Sequence, residues 1–347
     1  MSGGDPTPEP VRTPGVRVWR GGRVESIHAV HAAVVDADGG LLSAHGDPQR
    51  RAWFRSAAKP IQVLPLVEEG LVERFGFSTR ELAVMVASHG GQPFHLDAVR
   101  GILDKADLDP GLLRCGPHPP LDPGAAEGLR EAGEAPGRIH NNCSGKHAGM
   151  LAVCRAMDWP LETYLEPDHP LQVRIHRTVA ELAGITASEV HCAVDGCGAP
   201  TFFLPVRGMA AAFARLAAAD RTRDTDPARA IGRILDAMAA HPEYVAGTGR
   251  MDTDLMTLCG QSVIVKTGAE GVFCAVLRER GEGLALKVGD GAKRAQDVAL
   301  VELLLEAGAI DKLTARRLEG HWRPEVRNHA GRVVGRIDAA LPLEVPR

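Results

Sequence analysis

SVIVKTGAEGVFCAVLRERGEGLALKV, residues 262–288, predicts three antiparallel β-strands joined by two tight turns. Apolar and β-branched residues fill three short runs, and glycines lie in the intervals between them. Such short intervals join antiparallel neighbours, because parallel strands need a crossover of about a dozen residues or more. The stretch therefore predicts an antiparallel meander, whose first strand carries Lys266 directly before Thr267 and Gly268.

Strand signals also occupy residues 16–46, where turn residues lie at 21–22 and 38–40. Between the two strand-rich ends the pattern is mostly helical, beginning with a helix after Lys59 that Pro65 should kink or end. Further helices are predicted near residues 145–157, 170–184, 205–219, 226–240 and 293–308. This order predicts an α+β fold, in which helices flank an antiparallel sheet built from both ends of the chain.

The chain has 347 residues, enough for one large domain or two smaller ones. We expect a disordered tail at residues 1–14 and a single catalytic domain at residues 15–347. Residues 116–137 hold five prolines and five glycines and predict a loop or lid, with one helical turn at most.

The composition excludes several classes of function. A net charge of −4 and an aromatic content of 4% argue against nucleic-acid binding. No apolar run reaches the roughly 18 residues that a membrane span needs. The first ten residues, MSGGDPTPEP, lack the features of a secretory signal, and the seven cysteines are scattered. We therefore expect a cytoplasmic location, with reduced thiols or a metal site.

RSAAKP, residues 55–60, places Ser56 and Lys59 three positions apart before an apolar run. On a helical turn the two side chains share a face, so a lysine amine there can accept the proton of a serine nucleophile. Only seven of the forty basic residues are lysines, so surface cations in this chain are nearly always arginines. A desolvated lysine can serve as a neutral amine base and an arginine cannot. A lysine within a motif of small residues is therefore a stronger candidate for catalysis here than in a lysine-rich chain. By itself, however, S-x-x-K is common, and a serine that caps a helix beside a solvated lysine is the more usual explanation of the pattern.

Lys266 presents a similar choice. A lysine before Thr and Gly on a strand can line an open groove, but edge strands often carry lysine to prevent aggregation. The order S-x-x-K followed by K-T-G is typical of penicillin-binding proteins and serine β-lactamases. Ser88 is the candidate for the third serine element of such a site, although no S-x-N motif stands there.

Two cysteine motifs predict either a metal site or buried thiols. HNNCSGKHAGML, residues 140–151, places Cys143 and Lys146 at a predicted helix start, where the helix dipole favours a thiolate. DGCGAP, residues 195–200, contains Asp195 and Cys197 in a glycine-rich turn. Two thiolates can bind zinc, but free cysteines are more often small buried residues.

Together RSAAKP, ASHGG, NNCSGKHAGML, DGCGAP and VKTGAEG resemble, in this order, the asparaginase II family of thermolabile, Rhizobium-type L-asparaginases. The resemblance extends from about residue 16 to about residue 325. It implies a fold similar to serine β-lactamases and glutaminases, a homodimer, and L-asparagine as the small-molecule substrate.

The resemblance also implies roles for individual residues. The pairs Ser56 with Lys59 and Ser88 with Lys266 would be catalytic. Zinc would be held by Cys143, Lys146 and Cys197, supporting substrate binding without supplying the nucleophile. Substrate-binding roles are expected for Arg55, His147 and Asp195.

Three alternatives remain open on the sequence. A glutaminase differs from an asparaginase by one methylene of substrate, which a site discriminates by only about 1–3 kcal/mol. A penicillin-recognising serine acyltransferase has no need of the NNCSGKH motif. A zinc- or thiol-binding protein without enzymatic activity would leave both serine–lysine pairs unexplained.

Overall fold

A computed structural model describes residues 14–346 of the chain. This part of the chain contains twelve β-strands, numbered β1 to β12 in chain order: Gly15–Arg20, Arg23–His28, Val30–Asp36, Leu41–His45, Arg51–Trp53, His191–Val194, Pro200–Pro205, Val263–Thr267, Val272–Leu277, Glu282–Val288, Glu325–Arg327 and Val333–Ala340.

The largest sheet has five strands in the order β4-β3-β10-β9-β8, and every neighbouring pair is antiparallel. The meander predicted at 262–288 is therefore confirmed as β8, β9 and β10. Strand β3, from the N-terminal part, pairs with β10 along its whole length, from Val30 opposite Val288 to Asp36 opposite Glu282. The two ends of the chain thus share one sheet, as the strand pattern predicts.

Two smaller sheets complete the strand topology. One has the order β11-β12-β1-β2 and again joins the two ends of the chain, because β1 pairs with β12. The other has the order β5-β7-β6 and leads at one end into the turn that holds Asp195 and Cys197.

The same residues form fifteen α-helices, numbered α1 to α15: Lys59–Gln62, Leu64–Glu68, Leu71–Phe75, Thr79–Met85, Pro93–Lys105, Pro123–Glu131, Ser144–Ala156, Pro170–Ala183, Val206–Thr222, Asp226–Ala240, Pro242–Val245, Met251–Cys259, Lys293–Glu306, Lys312–Arg317 and Glu319–Trp322. The mixture of helices with antiparallel sheets confirms the predicted α+β class.

Helix α9 packs against strands β3, β9 and β10 of the five-stranded sheet. Its small residues allow a very close approach, and β10 contributes a glycine at the contact. A Cβ atom on Gly283 would lie only 2.1 Å from the Ala210 carbonyl oxygen. The core between this helix and the sheet therefore requires glycine at position 283.

Some local predictions need correction. The helix after Lys59 ends at Gln62 and a second one starts at Leu64, so the break comes before Pro65. Residues 116–137 include the nine-residue helix α6, which is longer than the single turn predicted. The prolines of this segment argue against a longer helix, but Pro123 stands in the first turn of α6, where its missing N–H costs no hydrogen bond.

The predicted tail, residues 1–14, lies outside the described residues apart from residue 14. The single catalytic domain stays a prediction. Within residues 14–346, every helix is too short or too polar to cross a lipid bilayer.

Candidate active site

A serine hydroxyl bridges two buried lysines at the centre of the candidate site. Ser88 Oγ lies 3.1 Å from Lys59 Nζ and also 3.1 Å from Lys266 Nζ. Lys59 Nζ donates in addition to the Ala87 carbonyl oxygen, at 2.5 Å, and to Cys143 Sγ, at 3.2 Å. Both lysines are almost fully buried, at 1% and 0% exposure. Three parts of the chain that are distant in sequence therefore meet at one hydroxyl.

The position of Ser88 is set by helix α4, which ends shortly before it. A capping box between Ser78 and Glu81 starts this helix. Helix α7 crosses α4 so closely that a Cβ atom on Gly145 would lie 2.2 Å from the Val84 carbonyl oxygen. The glycine therefore brings the start of α7, with its cysteine and lysine, against the end of α4.

Lys266 is not a solvated edge-strand lysine, although β8 is an edge strand of its sheet. The pKa of Lys266 is lowered to about 7, chiefly by burial; the Asp252 carboxylate opposes the shift, and the neighbouring Lys59 cation adds to it. Asp252 is buried and accepts a hydrogen bond of 2.8 Å from the Thr267 N–H. Near neutral pH, Lys266 can therefore be either an acid or a base.

Ser56 does not cap a helix. It lies inside the 3₁₀ turn Arg55–Ala58, and its side chain makes no hydrogen bond within residues 14–346, including any to Lys59. The side chain is partly exposed, in contrast to that of Ser88. Ser56 thus has the more accessible hydroxyl, while Ser88 contacts both lysines.

Arg55, directly before Ser56, has a positive backbone φ of 51°. Non-glycine residues in this region carry strain, which tends to occur at functional sites. Here two bonds hold the residue: its N–H donates to Thr201 Oγ1 at 3.1 Å, and its guanidinium donates to Asp195 Oδ1 at 2.9 Å. Two of the predicted substrate-binding residues, Arg55 and Asp195, therefore form an ion pair beside Ser56.

The predicted zinc ligands are also brought together. Lys146 Nζ donates to Cys197 Sγ at 3.2 Å, and both cysteines are buried. Contact between the two thiols raises the pKa of Cys143 above its usual value and lowers that of Cys197, which Lys146 lowers further. Burial opposes a charge on Lys146, but the Cys197 sulfur raises its pKa overall. The pair therefore favours one thiolate, at Cys197.

His147 is fully buried, and its Nδ1 lies 2.6 Å from the Tyr164 hydroxyl. Its Nε2 is also buried and has no hydrogen-bond partner within the described residues. The imidazole lies close enough to Cys197 to lower the pKa of that thiol. The imidazole thus belongs to the cysteine part of the site.

These residues fit a metal ion in the chemistry of their donors. A thiolate beside a second thiol is a donor pair that zinc binds, and the orphaned His147 Nε2 is next to it. Within residues 14–346 no group of three or more His, Cys, Asp or Glu residues is arranged to hold a metal. A zinc ion here would therefore depend on Lys146 as its third protein ligand, and Lys146, whose pKa the Cys197 sulfur raises, would have to lose its proton to bind the ion.

Several residues of the site were not identified from the sequence. Asp252 faces Lys266, Tyr164 holds His147, and His89 is hydrogen-bonded to Ser144 at 2.9 Å. Of these residues, only His89 could have been suspected from the sequence, because it directly follows Ser88. The other contacts join residues from separate helices and loops, for which no local pattern exists.

Buried lysines around a serine can move protons to and from a hydroxyl, as nucleophilic and general acid–base catalysis requires. The chain belongs to the L-asparaginase II family, whose sequence model matches residues 16–339. The family implies a small-molecule amide as the substrate.

A comparison with curated protein sequences gives no significant match. Among solved structures, the chain is similar to a β-lactamase from Mycobacterium bovis, with 17% identity, a TM-score of 0.43, and coverage of 81% of this chain and 96% of that one. It is also similar to the protein Mglu, with 15% identity, a TM-score of 0.45, and coverage of 81% of this chain and 61% of that one. Both TM-scores are below 0.5, so the family assignment rests on the sequence match.

Proposed function

We propose that this protein is an L-asparaginase that hydrolyses L-asparagine to L-aspartate and ammonia through an acyl-enzyme on Ser56. The observation that carries the proposal is the shared contact of Ser88 Oγ with Lys59 and Lys266, beside a more accessible serine. Two amines joined through one hydroxyl form a path along which a proton can move away from a nucleophile.

In the first half-reaction Lys59 first passes one proton through the Ser88 hydroxyl to the neutral Lys266 amine, and the Lys59 amine then accepts the proton of Ser56 as Ser56 Oγ attacks the side-chain amide carbon. The oxyanion of the tetrahedral intermediate is stabilised by the backbone N–H of Ser56, because the N–H groups of Arg55 and Ala57 already donate to Thr201 Oγ1 and to the Phe54 carbonyl oxygen. The C–N bond breaks, the amide nitrogen takes up one proton from the lysine relay, and ammonia leaves. Aspartate remains joined to Ser56 as an ester.

In the second half-reaction a water molecule attacks the ester carbon and gives its proton to the same relay. The C–O bond to Ser56 breaks, and the serine oxygen recovers a proton. Ser88 passes protons between the two amines, and Lys266, with a pKa of about 7, can hold or release one near neutral pH. One water is consumed for each aspartate and ammonia released.

Substrate recognition is assigned to the ion pair of Arg55 and Asp195. Asparagine carries a carboxylate and an ammonium on its α-carbon, which match a guanidinium and a carboxylate respectively. Both side chains are only partly exposed, at 25% and 14%, so each contact would be shielded from water. His147 faces the cysteines, which favours a supporting role over direct contact with substrate.

Zinc is proposed at Cys143, Lys146 and Cys197. When bound there, it supplies a fixed positive charge that attracts an anionic substrate group and crosslinks two turns. The proton transfers described above are performed by the serines and by Lys59 and Lys266, not by the metal. The homodimer implied by the family is part of the same proposal.

The direct test is ammonia release from L-asparagine and L-glutamine, measured side by side with and without a chelator. We expect turnover of asparagine with a higher kcat/KM than glutamine, and a higher KM after chelation. Preference for glutamine would change the substrate assignment, and absence of turnover with both would refute it.

A further inference from the structure

His89 directly follows Ser88 and has no part in the proposed proton transfers, yet its side chain is fully buried. The Gly91 N–H donates to His89 Nδ1 at 3.2 Å, so this nitrogen carries no proton. Nε2 lies 2.9 Å from Ser144 Oγ, whose own proton is donated to the Ile139 carbonyl oxygen at 2.8 Å. The partners therefore fix one tautomer, in which Nε2–H donates to Ser144.

This hydrogen bond joins two motifs of the site. His89 N–H donates to the Asn142 carbonyl oxygen at 3.1 Å, so both the backbone and the side chain of His89 bind the turn at 142–144. Cys143, a contact of Lys59, lies in the middle of this turn. On the other side, Ser88 N–H donates to the Val245 carbonyl oxygen at 3.0 Å. The backbone that carries the bridging hydroxyl is thus held from two directions.

From this arrangement, we infer that His89 is a positioning residue, which holds the Ser88 hydroxyl between Lys59 and Lys266 by anchoring it to the turn at Cys143. The inference rests on the proposed function for its kinetic consequences. A hydroxyl shared by two amines at 3.1 Å has little freedom, because hydrogen bonds weaken steeply with distance and angle. A shift of about 1 Å in such a group can reduce turnover by about 100-fold.

His95, in the first turn of helix α5, provides a matched control. Its ring stacks on that of His89 at 5.1 Å and shows the same donor and acceptor pattern. Gln92 N–H donates to its Nδ1 at 3.2 Å, and its Nε2 lies 2.9 Å from the Glu243 carbonyl oxygen. Neither bond reaches the turn at 142–144. Substitution of His95 therefore tests burial and ring packing without the anchor.

The kinetic experiment compares His89→Asn with His89→Gln. An asparagine can still accept from the Gly91 N–H but is too short to reach Ser144, whereas a glutamine amide can donate to the Ser144 hydroxyl. We expect His89→Asn to lower kcat for asparagine at least about tenfold with KM within about twofold of wild type. His89→Gln should recover kcat to within about threefold of wild type, as should the control His95→Gln.

Ser144→Ala removes the acceptor and keeps His89. It should lower kcat like His89→Asn, and the double variant should be no worse than either single one, because both remove the same bond. A long-range ¹H–¹⁵N spectrum, assigned by comparison with His89→Gln, should show His89 as a neutral Nε2–H imidazole whose signals shift in Ser144→Ala. This second measurement needs no turnover.

Equal kcat in His89→Asn and His89→Gln, a change in KM alone, additive losses in the double variant, or an Nδ1–H or charged imidazole would each overturn the positioning role. Failure of the wild-type protein to hydrolyse any amide would refute the proposed function instead. The spectrum then decides whether the anchor exists.

Discussion

Ser88 Oγ lies 3.1 Å from Lys266 Nζ, although the two residues are 178 positions apart in the chain. The same oxygen is equally close to Lys59, so a single hydroxyl connects two amines in a buried region. The connected group is Lys59, Ser88 and Lys266, and Ser56 lies outside it.

If Ser88 transfers protons between the amines, its hydroxyl is required for turnover but not for binding. We expect Ser88→Ala to lower kcat about 10²- to 10⁴-fold with little change in KM, the range of general acid–base catalysis. Steady-state ammonia release measures both constants. Ser262→Ala, which removes a hydroxyl at the start of β8 bonded only to the Cys259 carbonyl oxygen, is the control. A raised KM with unchanged kcat in Ser88→Ala would indicate a binding role.

Activity should depend on the protonation of Lys266. Because burial lowers its pKa to about 7, the neutral amine increases as pH rises, and kcat should rise through a midpoint near pH 7. Asp252→Asn keeps an oxygen for the Thr267 N–H but removes the negative charge that favours the ammonium. The midpoint should therefore move to lower pH, as a pH–rate profile of the two proteins will show. A midpoint that stays in place or moves upward would contradict this assignment.

The Arg55–Asp195 pair should determine affinity for the α-amino-acid head of the substrate. Asp195→Asn should raise KM for asparagine about 10- to 100-fold, comparable with the loss of one charged hydrogen bond. Succinamate, which lacks the α-ammonium, should be hydrolysed equally poorly by the variant and by wild type. A variant that loses affinity for both compounds to the same degree would show that Asp195 acts through Arg55 alone.

Zinc binding should require the paired thiols and not the other cysteines. Elemental analysis should give about one zinc per chain in the wild-type protein, and Cys197→Ser should weaken zinc binding at least about tenfold in a competition titration. Cys154→Ala alters another fully buried thiol, far along helix α7, and should bind zinc normally. Equal zinc content in all three proteins would remove Cys197 from the site.

The close packing of helix α9 against β10 can be tested at Gly283. A methyl group there would overlap the Ala210 carbonyl oxygen, so Gly283→Ala should lower the free energy of unfolding by about 1–3 kcal/mol. Gly128 lies inside helix α6 with open space at its Cβ position, and Gly128→Ala should raise stability by about 0.5–1 kcal/mol. Urea denaturation measures both. Similar effects of the two substitutions would mean that α9 does not pack as closely as described.

The architecture was accessible from sequence where the pattern is local. Strands β8 to β10 follow from alternating apolar runs and glycine turns, and the capping box at Ser78 follows from residue order alone. The motifs at Ser56, Ser88, Cys143, Cys197 and Lys266 were also recognisable, because each combines reactive residues with small ones.

What the sequence could not supply is the way these motifs meet. Arg55 has a positive φ, and Ser56 follows it inside a 3₁₀ turn. A positive φ is uncommon for any residue other than glycine, so an arginine in the sequence does not predict that conformation. Asp252 reaches Thr267 across 15 positions, and His89 reaches Ser144 across 55. Such contacts depend on the packing of whole helices, so pairwise spacing does not encode them.

Trapping the acyl-enzyme shows directly whether Ser56 is the nucleophile. Protein mixed with L-asparagine is quenched in acid within its first turnovers, digested, and mapped by mass spectrometry. We expect an aspartyl ester on the peptide that contains Ser56, and its absence in Ser56→Ala, which should release no ammonia while remaining folded. An ester on Ser88, or near-wild-type turnover by Ser56→Ala, would contradict it.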